Sequence, residues 1–534
     1  MLLAPLAAAV ELLVPHVPGE TAAVWRARLG TPLARVIAGE HLHLDHRRAC
    51  AMRGEWLRAA LGLVPKEGAR DFVERHWVQS QRERIAADPL NLYRDPAGAS
   101  PAFETAGRAN LLALVEEGYD GNSAVEIRRA AERGTAVSLL MQGPCGEPPP
   151  GGGDSALDQF AYELMAERSL ARGDALSAGR YRRAAMLSFS SLARRERAGR
   201  VLAAALLERR TACAEAPAPC ETGGYAFAAG PAAFANAGGM GMAANLHGSS
   251  AMPLGVVRFS RPGWEPRLGP SDGVCDPATG RGVSFGPTWM DGGRWIRIAG
   301  AAERYHGRFH AEFVHPLLVR CSIEYVPLAG QRGAGFRHDF VLTPDGILAT
   351  LHASPAVQYG ITWPLVEDEG LPLQTAAGGY IASVRHPASA GEQNFIAIAS
   401  VPGVADDEET VSGPGGSLRP VRSRSNRTFI YPRVEGDPPA EAVRASFRQT
   451  AQGFSSLLGR VNGNLYVGRT SAGGEGRSID LDGDGRPDAA FTPACGFLLQ
   501  LDGGRVTAVE VDREVRATIA GKRFDLAPFT PQFL

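Results

Sequence analysis

The hydrophobic positions in the first part of the chain recur at a spacing of three or four residues. Up to about residue 210 this spacing is seen in stretches such as GEWLRAALGLV, ANLLALVEEG and LDQFAYELMAERSLA. Side chains spaced in this way share one face of an α-helix, so the pattern predicts a series of amphipathic helices. Breaks rich in Pro and Gly divide the series into helices of ordinary length. We therefore predict a helical domain over residues 1–210, built from stacked antiparallel helices.

Beyond Thr211 the pattern changes to short runs in which β-branched and aromatic residues alternate with polar ones. Examples are MPLGVVRFS, GRWIRIAG and HDFVLTPDGILATLHA. Such runs predict strands, and their close succession favours an antiparallel sandwich over a parallel sheet. We predict a β-sandwich domain over residues 211–460 and a β segment over 461–534, which is either a second unit or an edge of the sandwich. The predicted fold class is α+β and multidomain.

Composition narrows the possible partners and the location. The chain has 534 residues, of which 44% are hydrophobic, and this is enough for two or three domains. Its net charge of −1 provides no overall field for nucleic acid, so we expect no such partner. No run approaches the roughly 20 apolar residues of a membrane span. The apolar start, residues 1–17, is either a signal remnant or a first helix, and we expect a secreted or periplasmic protein of undetermined oligomeric state.

An acidic run near the C-terminus, SIDLDGDGRPD, has the spacing of a calcium loop. Its carboxylates on alternate residues can converge on one cation, Gly485 provides the turn, and one backbone carbonyl completes the set. Phe491 stands where an EF-hand has a bidentate Glu, so the loop is closer to the DxDxDG loops of secreted modules. We predict Ca²⁺ here, the alternative being a plain acidic hairpin turn. The predicted ligands are Asp480, Asp482, Asp484, Arg486 and Asp488.

Histidine, arginine and tyrosine side chains cluster in the segment that begins at Gly293. Residues two apart on a strand share a face, so His306, Arg308 and His310 are predicted to lie together. Such a face combines a base that titrates near neutral pH with a cation that can hold a carboxylate. The alternative is a sandwich strand with ordinary outward polar residues.

Two further groups of residues are candidates for contact with a substrate. Asn245 and His247 lie in the Gly-rich stretch ANAGGMGMAANLHGSS after the helical part, where a cleft between domains is expected. A flexible linker explains this stretch equally well. The candidate sugar-binding residues are Trp56, Tyr119, Asp154 and Trp295. The alternatives are a core position for Trp56 and a helix cap for the aspartate.

With these features in view, the chain resembles the heparinase II/III-like polysaccharide lyases. The likeness covers most of the sequence and rests on the helical half, the Asn/His junction and the β half with stretches such as FVHPLLVRCSIEY. It implies an incomplete (α/α) toroid followed by a C-terminal antiparallel β-sandwich, with the sugar chain between them. It also implies β-elimination at a uronic acid, so the expected partner is an acidic polysaccharide.

The resemblance also implies roles for individual residues. A lyase must neutralise the uronate carboxylate, remove the neighbouring proton and protonate the departing oxygen. Neutralisation is assigned to Asn245 and His247, and proton transfer to Tyr305, His306 or His310, with Arg320 in support. About 210 helical residues is short for such a toroid, and an expected segment rich in Asn, His and Tyr is missing near residue 200. An inactive copy is therefore an alternative.

Two other kinds of function stay open. A glycoside hydrolase on the same scaffold needs two carboxylates across the cleft. The carboxylates available for that role are Glu117, Asp120, Glu147, Asp154 and Asp158. A non-catalytic glycan-binding protein would use the aromatic rings and the calcium loop for recognition and stability. A carboxylate pair in the cleft favours hydrolysis, a Tyr/His/Arg/Asn set favours elimination, and the absence of both favours binding alone.

Overall fold

A computed structural model gives the architecture of the chain. It describes residues 7–31, 45–78, 102–150, 155–195, 212–248, 253–264, 281–367, 374–399, 411–437, 458–469 and 485–534, apart from short gaps within these ranges, and also residues 82, 90, 275–276, 403–405 and 478–479. Its α-helices are α1 (Gly19–Leu29), α2 (Asp45–Ala60), α3 (Lys66–His76), α4 (Ala102–Glu116), α5 (Ala124–Met141), α6 (Ser155–Ala171), α7 (Ala175–Arg195) and the short α8 (Pro219–Thr222).

Helices α6 and α7 form a tight antiparallel hairpin. Gly173 makes the turn with φ of +79°, a conformation that glycine adopts without strain. The Asp174 carboxylate accepts the backbone N–H of Ser177 at 3.0 Å and so caps the start of α7. Both helices pack with α2 to α5 around one apolar core, whose members include Trp56, Val73, Leu111, Leu114, Ile127 and Leu164. Each such side chain contributes about 1.5–3 kcal/mol by leaving water.

The strands from Gly224 to Arg433 form a two-layer sandwich. One layer is an eight-stranded sheet that consists of β9 (Tyr305–His315), β10 (Leu318–Pro327), β11 (Gly335–Thr343), β12 (Gly346–Ser354), β14 (Gln374–Ala376), β15 (Gly379–Arg385), β16 (Glu392–Ala399) and β20 (Arg427–Arg433). Its strands lie in the order β14-β15-β16-β20-β12-β11-β10-β9. All pairings among the described strands of this sheet are antiparallel.

The facing layer consists of two sheets joined by a bridge between Val256 and Phe285. The first contains β1 (Gly224–Ala229), β2 (Ala232–Ala237), β3 (Met240–Asn245) and β4 (Gly255–Ser260). The second contains β7 (Gly286–Asp291), β8 (Arg294–Arg297), β13 (Tyr359–Glu367), β17 (Gly403–Ala405), β18 (Val411–Gly413) and β19 (Gly416–Ser423). A two-stranded ribbon pairs β5 (Cys275–Asp276) with β6 (Arg281–Gly282). The large core between the layers includes Phe259, Trp289, Tyr325, Phe336 and Trp363.

The helical part packs on the outer face of the sheet formed by β1 to β4. Met141 at the end of α5 joins an apolar cluster with Phe234 and Ala243. Beside it the buried Arg258 donates a hydrogen bond to the carbonyl oxygen of Pro148 at 2.7 Å. Helical and β parts are therefore in direct contact.

The C-terminal segment folds as a second, smaller pair of sheets. One sheet contains β21 (Leu458–Val461), β22 (Leu465–Arg469), β25 (Gly496–Asp502), β26 (Arg505–Val511) and β29 (Gln532–Phe533), and the other contains β23 (Ser478–Ile479), β24 (Ala489–Thr492), β27 (Val515–Ile519) and β28 (Lys522–Leu526). Their core includes Phe491, Phe497, Leu499 and Val511. Among the described strands, none of these pairs with the main sandwich.

The predicted α+β fold class, helices first and antiparallel sheets afterwards, is confirmed. Within the described residues, the long helix α7 ends at Arg195 and β1 begins at Gly224, on either side of the predicted boundary at residue 210. The exact domain limits stay predictions. Within the described residues, no helix combines the length and the apolar character that a bilayer span requires.

Candidate active site

Strand β9 presents a row of polar side chains on one face of the sheet. Burial alternates along it, with Tyr305 and Gly307 buried, His306 partly exposed, and Arg308 and His310 exposed. This alternation follows from the pleat, which sends successive side chains to opposite faces. The predicted grouping of His306, Arg308 and His310 on one face is therefore what the structure shows.

A long-range backbone contact brings His247 to the same place. The Gly307 N–H donates to the carbonyl oxygen of Leu246 at 2.7 Å, which ties the end of β3 to the edge strand β9. As a result the rings of His247 and His306 lie nearly parallel, with centroids 6.2 Å apart and an interplanar angle of 15°. His247 is exposed, whereas His306 is only partly so. Two imidazoles with different access to water therefore lie side by side.

Arg308 completes this group by bonding to the His306 ring. Its Nε–H donates to His306 Nε2 at 3.3 Å. A ring nitrogen that accepts a hydrogen bond carries no proton, so His306 is neutral with its proton on Nδ1. Burial lowers the pKa of His306, and the charge of Arg308 and the nearby His247 ring lower it further. The arrangement thus holds a neutral imidazole next to a cation at neutral pH.

Asn245 holds the turn that carries His247. Its Oδ1 accepts the backbone N–H of His247 at 3.3 Å, and its Nδ2 donates to the carbonyl oxygen of Pro253 at 3.0 Å. The residue is 1% exposed. An amide that is buried and bonded within its own turn fixes the position of His247. The structure therefore corrects the expectation that Asn245 binds the substrate carboxylate directly.

Further along the same face, charged side chains from β9 to β12 form an ion-pair network. Arg337 lies at its centre and contacts three carboxylates, at 2.7 Å for Asp339 and 3.7 Å for Glu324, with Glu312 also in contact. The outer members are His310, which is 3.4 Å from Glu324, Arg320, which is 3.9 Å from Glu312, and His352, which is 3.2 Å from Asp339. Arg320 and His310 thus belong to this network. They do not belong to the group formed by His247, His306 and Arg308, the histidine group.

Sequence reasoning missed the carboxylates and Arg337 in this network. The signal that was available is the alternation of charged residues with residues that face the core along β10 and β11, as in Arg337 and Asp339 on either side of His338. Which strands would pair, and in which register, was not contained in that signal.

Comparisons with known proteins found similar solved structures but no match in sequence. No family model and no curated protein matches the sequence. A mutant of chondroitin AC lyase from Streptomyces coelicolor A3 is similar in structure at 12% identity and a TM-score of 0.48, over 96% of this chain and 77% of that one. Heparan sulfate lyase HepC from Pedobacter heparinus is similar at 9% identity and a TM-score of 0.29, over 90% of this chain and 74% of that one. The roles of residues must therefore come from this chain's own geometry.

Tyr305 is placed away from the histidine group. It is 1% exposed and packs in the sandwich core against Trp289 and Phe336. The reason is the pleat, because a neighbour of His306 on the strand must point to the opposite face. The structure therefore corrects the expectation that Tyr305 exchanges protons with a ligand on the His306 face.

Two of the candidate sugar-binding rings are core residues. Trp56 is 2% exposed and donates its indole N–H to the carbonyl oxygen of Glu117 at 3.0 Å. Tyr119 is 3% exposed, packs edge-on against Trp56 and donates its hydroxyl to Glu74 at 2.6 Å. Neither ring offers a free face to a sugar, so both expectations are corrected in favour of a structural role.

The other two candidate sugar contacts have different outcomes. Trp295 is partly exposed on β8, and the guanidinium of Arg422 lies 4.4 Å from its ring centroid. It is on the facing layer of the sandwich, apart from the His306 face. Asp154 lies outside the described residues.

The calcium loop is described only in part. Asp480, Asp482 and Asp484 lie outside the described residues. Gly485 has φ of +81°, which permits the predicted tight turn, and the Asp488 carbonyl oxygen accepts the Ala520 N–H at 2.9 Å. Arg486 is exposed and Asp488 is partly so. The turn fits the expectation, and calcium binding itself stays a prediction.

The same C-terminal unit has an open cavity of about 690 Å³. Its lining includes Thr492, Glu514, Arg516 and Asp525 but no histidine or tyrosine. It therefore offers no base that titrates near neutral pH, and elimination chemistry is better supported at the histidine group.

Proposed function

We propose that this protein is a lyase that cleaves an acidic polysaccharide by β-elimination at a uronic acid. The observation that carries the proposal is the contact between Arg308 and the neutral ring of His306, on an exposed strand edge beside His247. Elimination needs a cation for the uronate carboxylate and a base close to it, and this contact brings the two together.

The chemistry divides among the three side chains. The Arg308 guanidinium binds the carboxylate in a bidentate manner, which withdraws charge and acidifies the proton on the adjacent C5 carbon. His306 takes that proton, the electron pair forms the C4–C5 double bond, and the C4–O bond breaks. His247 supplies a proton to the departing glycosidic oxygen. His306 then releases the C5 proton to water and His247 takes up a proton from water, which restores the starting state.

Hydrolysis has less support because the carboxylates considered for it are engaged elsewhere. Glu117 is held by Arg53 at 2.6 Å, and Asp120 is held by Lys66 at 2.9 Å and Arg70 at 2.7 Å. The remaining described candidates, Glu147 and Asp158, are buried. A carboxylate that must deliver or take up a proton at a sugar needs access to it.

The experiment is a digestion of acidic polysaccharides followed by the ultraviolet absorbance of the unsaturated uronate. We expect product from at least one uronate-containing polymer. His306→Gln and Arg308→Gln should each lower kcat/KM about 100-fold or more, the usual contribution of general acid–base and charge-stabilising groups. His352→Asn is the matched control, because this exposed histidine lies on the same sheet and pairs with Asp339 of the ion-pair network at 3.2 Å.

Equal activity in wild type and His306→Gln would refute the assignment of the base. Binding of the polysaccharide without any product would instead indicate a non-catalytic glycan-binding protein or an inactive copy.

A further inference from the structure

We propose that Arg308 acts as a carboxylate-operated gate on His306, so that His306 becomes available as a base only when a uronate is bound. In the free protein the Arg308 Nε–H occupies the His306 Nε2 lone pair, and the ligand's carboxylate draws the guanidinium away and frees it. The inference rests on the proposed function, and it adds a reason for selectivity between acidic and neutral sugars.

The two nitrogens of His306 are not equivalent. Nδ1 is shielded from solvent and has no hydrogen-bond partner among the residues that the structure describes. Nε2 is the nitrogen held by Arg308 at 3.3 Å. A substrate proton must therefore reach Nε2, and Nε2 cannot accept it while Arg308 donates to the same lone pair.

The surroundings of Arg308 allow it to exchange the His306 ring for a carboxylate. Among the described residues, no carboxylate oxygen lies within ion-pair distance of its guanidinium. Glu324 is opposite Arg308 in the strand register, but it is paired with His310 at 3.4 Å and with Arg337 at 3.7 Å. A carboxylate offers Arg308 two bonds to a group of opposite charge in place of one bond of 3.3 Å to a neutral acceptor, so an incoming uronate competes well with the imidazole.

The gate gives selectivity that binding alone does not provide. A neutral sugar that fits the same surface leaves Arg308 on His306, so the base stays blocked. A uronate both binds Arg308 and frees Nε2, so recognition of the carboxylate and activation of the base occur in one movement. Discrimination therefore appears in kcat as well as in KM.

The test follows the His306 imidazole by NMR in the full chain with labelled histidine, using an oligosaccharide of glucuronate units and a neutral oligosaccharide of equal length. His306→Asn assigns the signal. The uronate should raise the titration midpoint of His306 by about one pH unit or more, because a cation leaves and a carboxylate arrives. The neutral sugar should leave it unchanged. Arg308→Gln should raise the midpoint without ligand and abolish the response, and the exposed Arg332→Gln is the matched control.

Three outcomes would overturn the gate. If the uronate is cleaved while the His306 midpoint stays constant on binding of the uronate oligosaccharide, the gate is wrong although the proposed function can stand with another base. If Arg308→Gln titrates like the wild type, Arg308 does not block His306. If the uronate neither binds nor yields unsaturated product, the gate and the proposed function fail together.

Discussion

At the scale of single residues, His338 shows how the sandwich core controls the charge of a histidine. It is 0% exposed, and in the described part of the chain neither ring nitrogen has a hydrogen-bond partner. The rings of Phe285 and Phe340 lie 5.3 Å and 4.3 Å from it. Burial, with a smaller effect from His352, lowers the pKa of His338 to about 3. The ring is therefore neutral in the folded protein at every pH at which the protein is expected to work.

This burial predicts a specific loss of stability in acid. Because the folded pKa is below the unfolded value of 6.5, the unfolded chain takes up a proton first, and stability falls as the pH drops below 6.5. By about pH 4.5 the loss is about 2–3 kcal/mol. Urea unfolding of His338→Phe should lack this part of the pH dependence, whereas the exposed His16→Gln should retain it. Identical pH curves for wild type and His338→Phe would contradict the account.

The histidine group shows which residue properties the sequence could predict. Alternation along β9 was enough to place His306, Arg308 and His310 on one face, and the same rule places Tyr305 in the core. The stacking of His247 on His306 depends on the contact between Leu246 and Gly307, which are far apart in the chain. Local pattern carries no information on such a pairing, so this part of the site required the structure.

At the scale of elements, the turn between α4 and α5 is fixed by a carboxylate from α3. Glu74 accepts the Tyr119 hydroxyl at 2.6 Å, the Ser123 N–H at 2.9 Å and the Ser123 hydroxyl at 2.5 Å. Burial alone would raise the pKa of Glu74, but the hydrogen bonds from Ser123 and Tyr119 outweigh it and lower the pKa. One carboxylate thus joins three consecutive helices.

We expect Glu74→Gln to destabilise the helical part by about 1–2 kcal/mol, because one strong acceptor is lost. Since the folded pKa is lowered, this contribution is present above pH 4.5 and is lost as the pH falls below it. Thermal unfolding measured at neutral and acidic pH tests both statements. Asp120→Asn, which removes exposed ion pairs to Lys66 and Arg70, is the matched control and should have little effect. A larger effect for Asp120→Asn than for Glu74→Gln would reverse the argument.

The predicted calcium loop makes a testable contribution to the C-terminal sheets. If Ca²⁺ binds the folded loop, a concentration 100 times Kd should stabilise the protein by about 2.7 kcal/mol, and EDTA should remove this gain. Calorimetric unfolding with and without Ca²⁺ measures it. Asp482→Asn should abolish the response, and Asp525→Asn, an exposed carboxylate on β28, should not. Equal stability in Ca²⁺ and EDTA would leave the loop as a plain acidic turn.

At the scale of the whole molecule, the order of helices and sheets was predictable, and their assembly was not. Helical periodicity and strand alternation predicted that helices give way to strands near residue 210, a position between Arg195 and Gly224. The division of the β part into an eight-stranded sheet and two facing sheets depends on pairings such as β12 with β20, which join distant segments. The docking of α5 on β2 and β3 through Met141 and Phe234 is equally non-local.

The sequence alone could not show on which layer of the sandwich the histidine group lies. The histidine group lies on β9, the terminal strand in the order of the eight-stranded sheet, while the helices contact the opposite layer through the sheet of β1 to β4. We propose that bond cleavage takes place at this strand and occurs by elimination.

The most direct measurement is cleavage of a uronate-containing polysaccharide in water labelled with oxygen-18, with the products analysed by mass spectrometry. Elimination breaks the glycosidic bond without adding water, whereas hydrolysis inserts one solvent oxygen for each cleavage. We expect unlabelled products with an unsaturated uronate at the new end, and we expect His306→Gln to form none of them. Products that carry one labelled oxygen per cleavage would contradict it and identify a hydrolase.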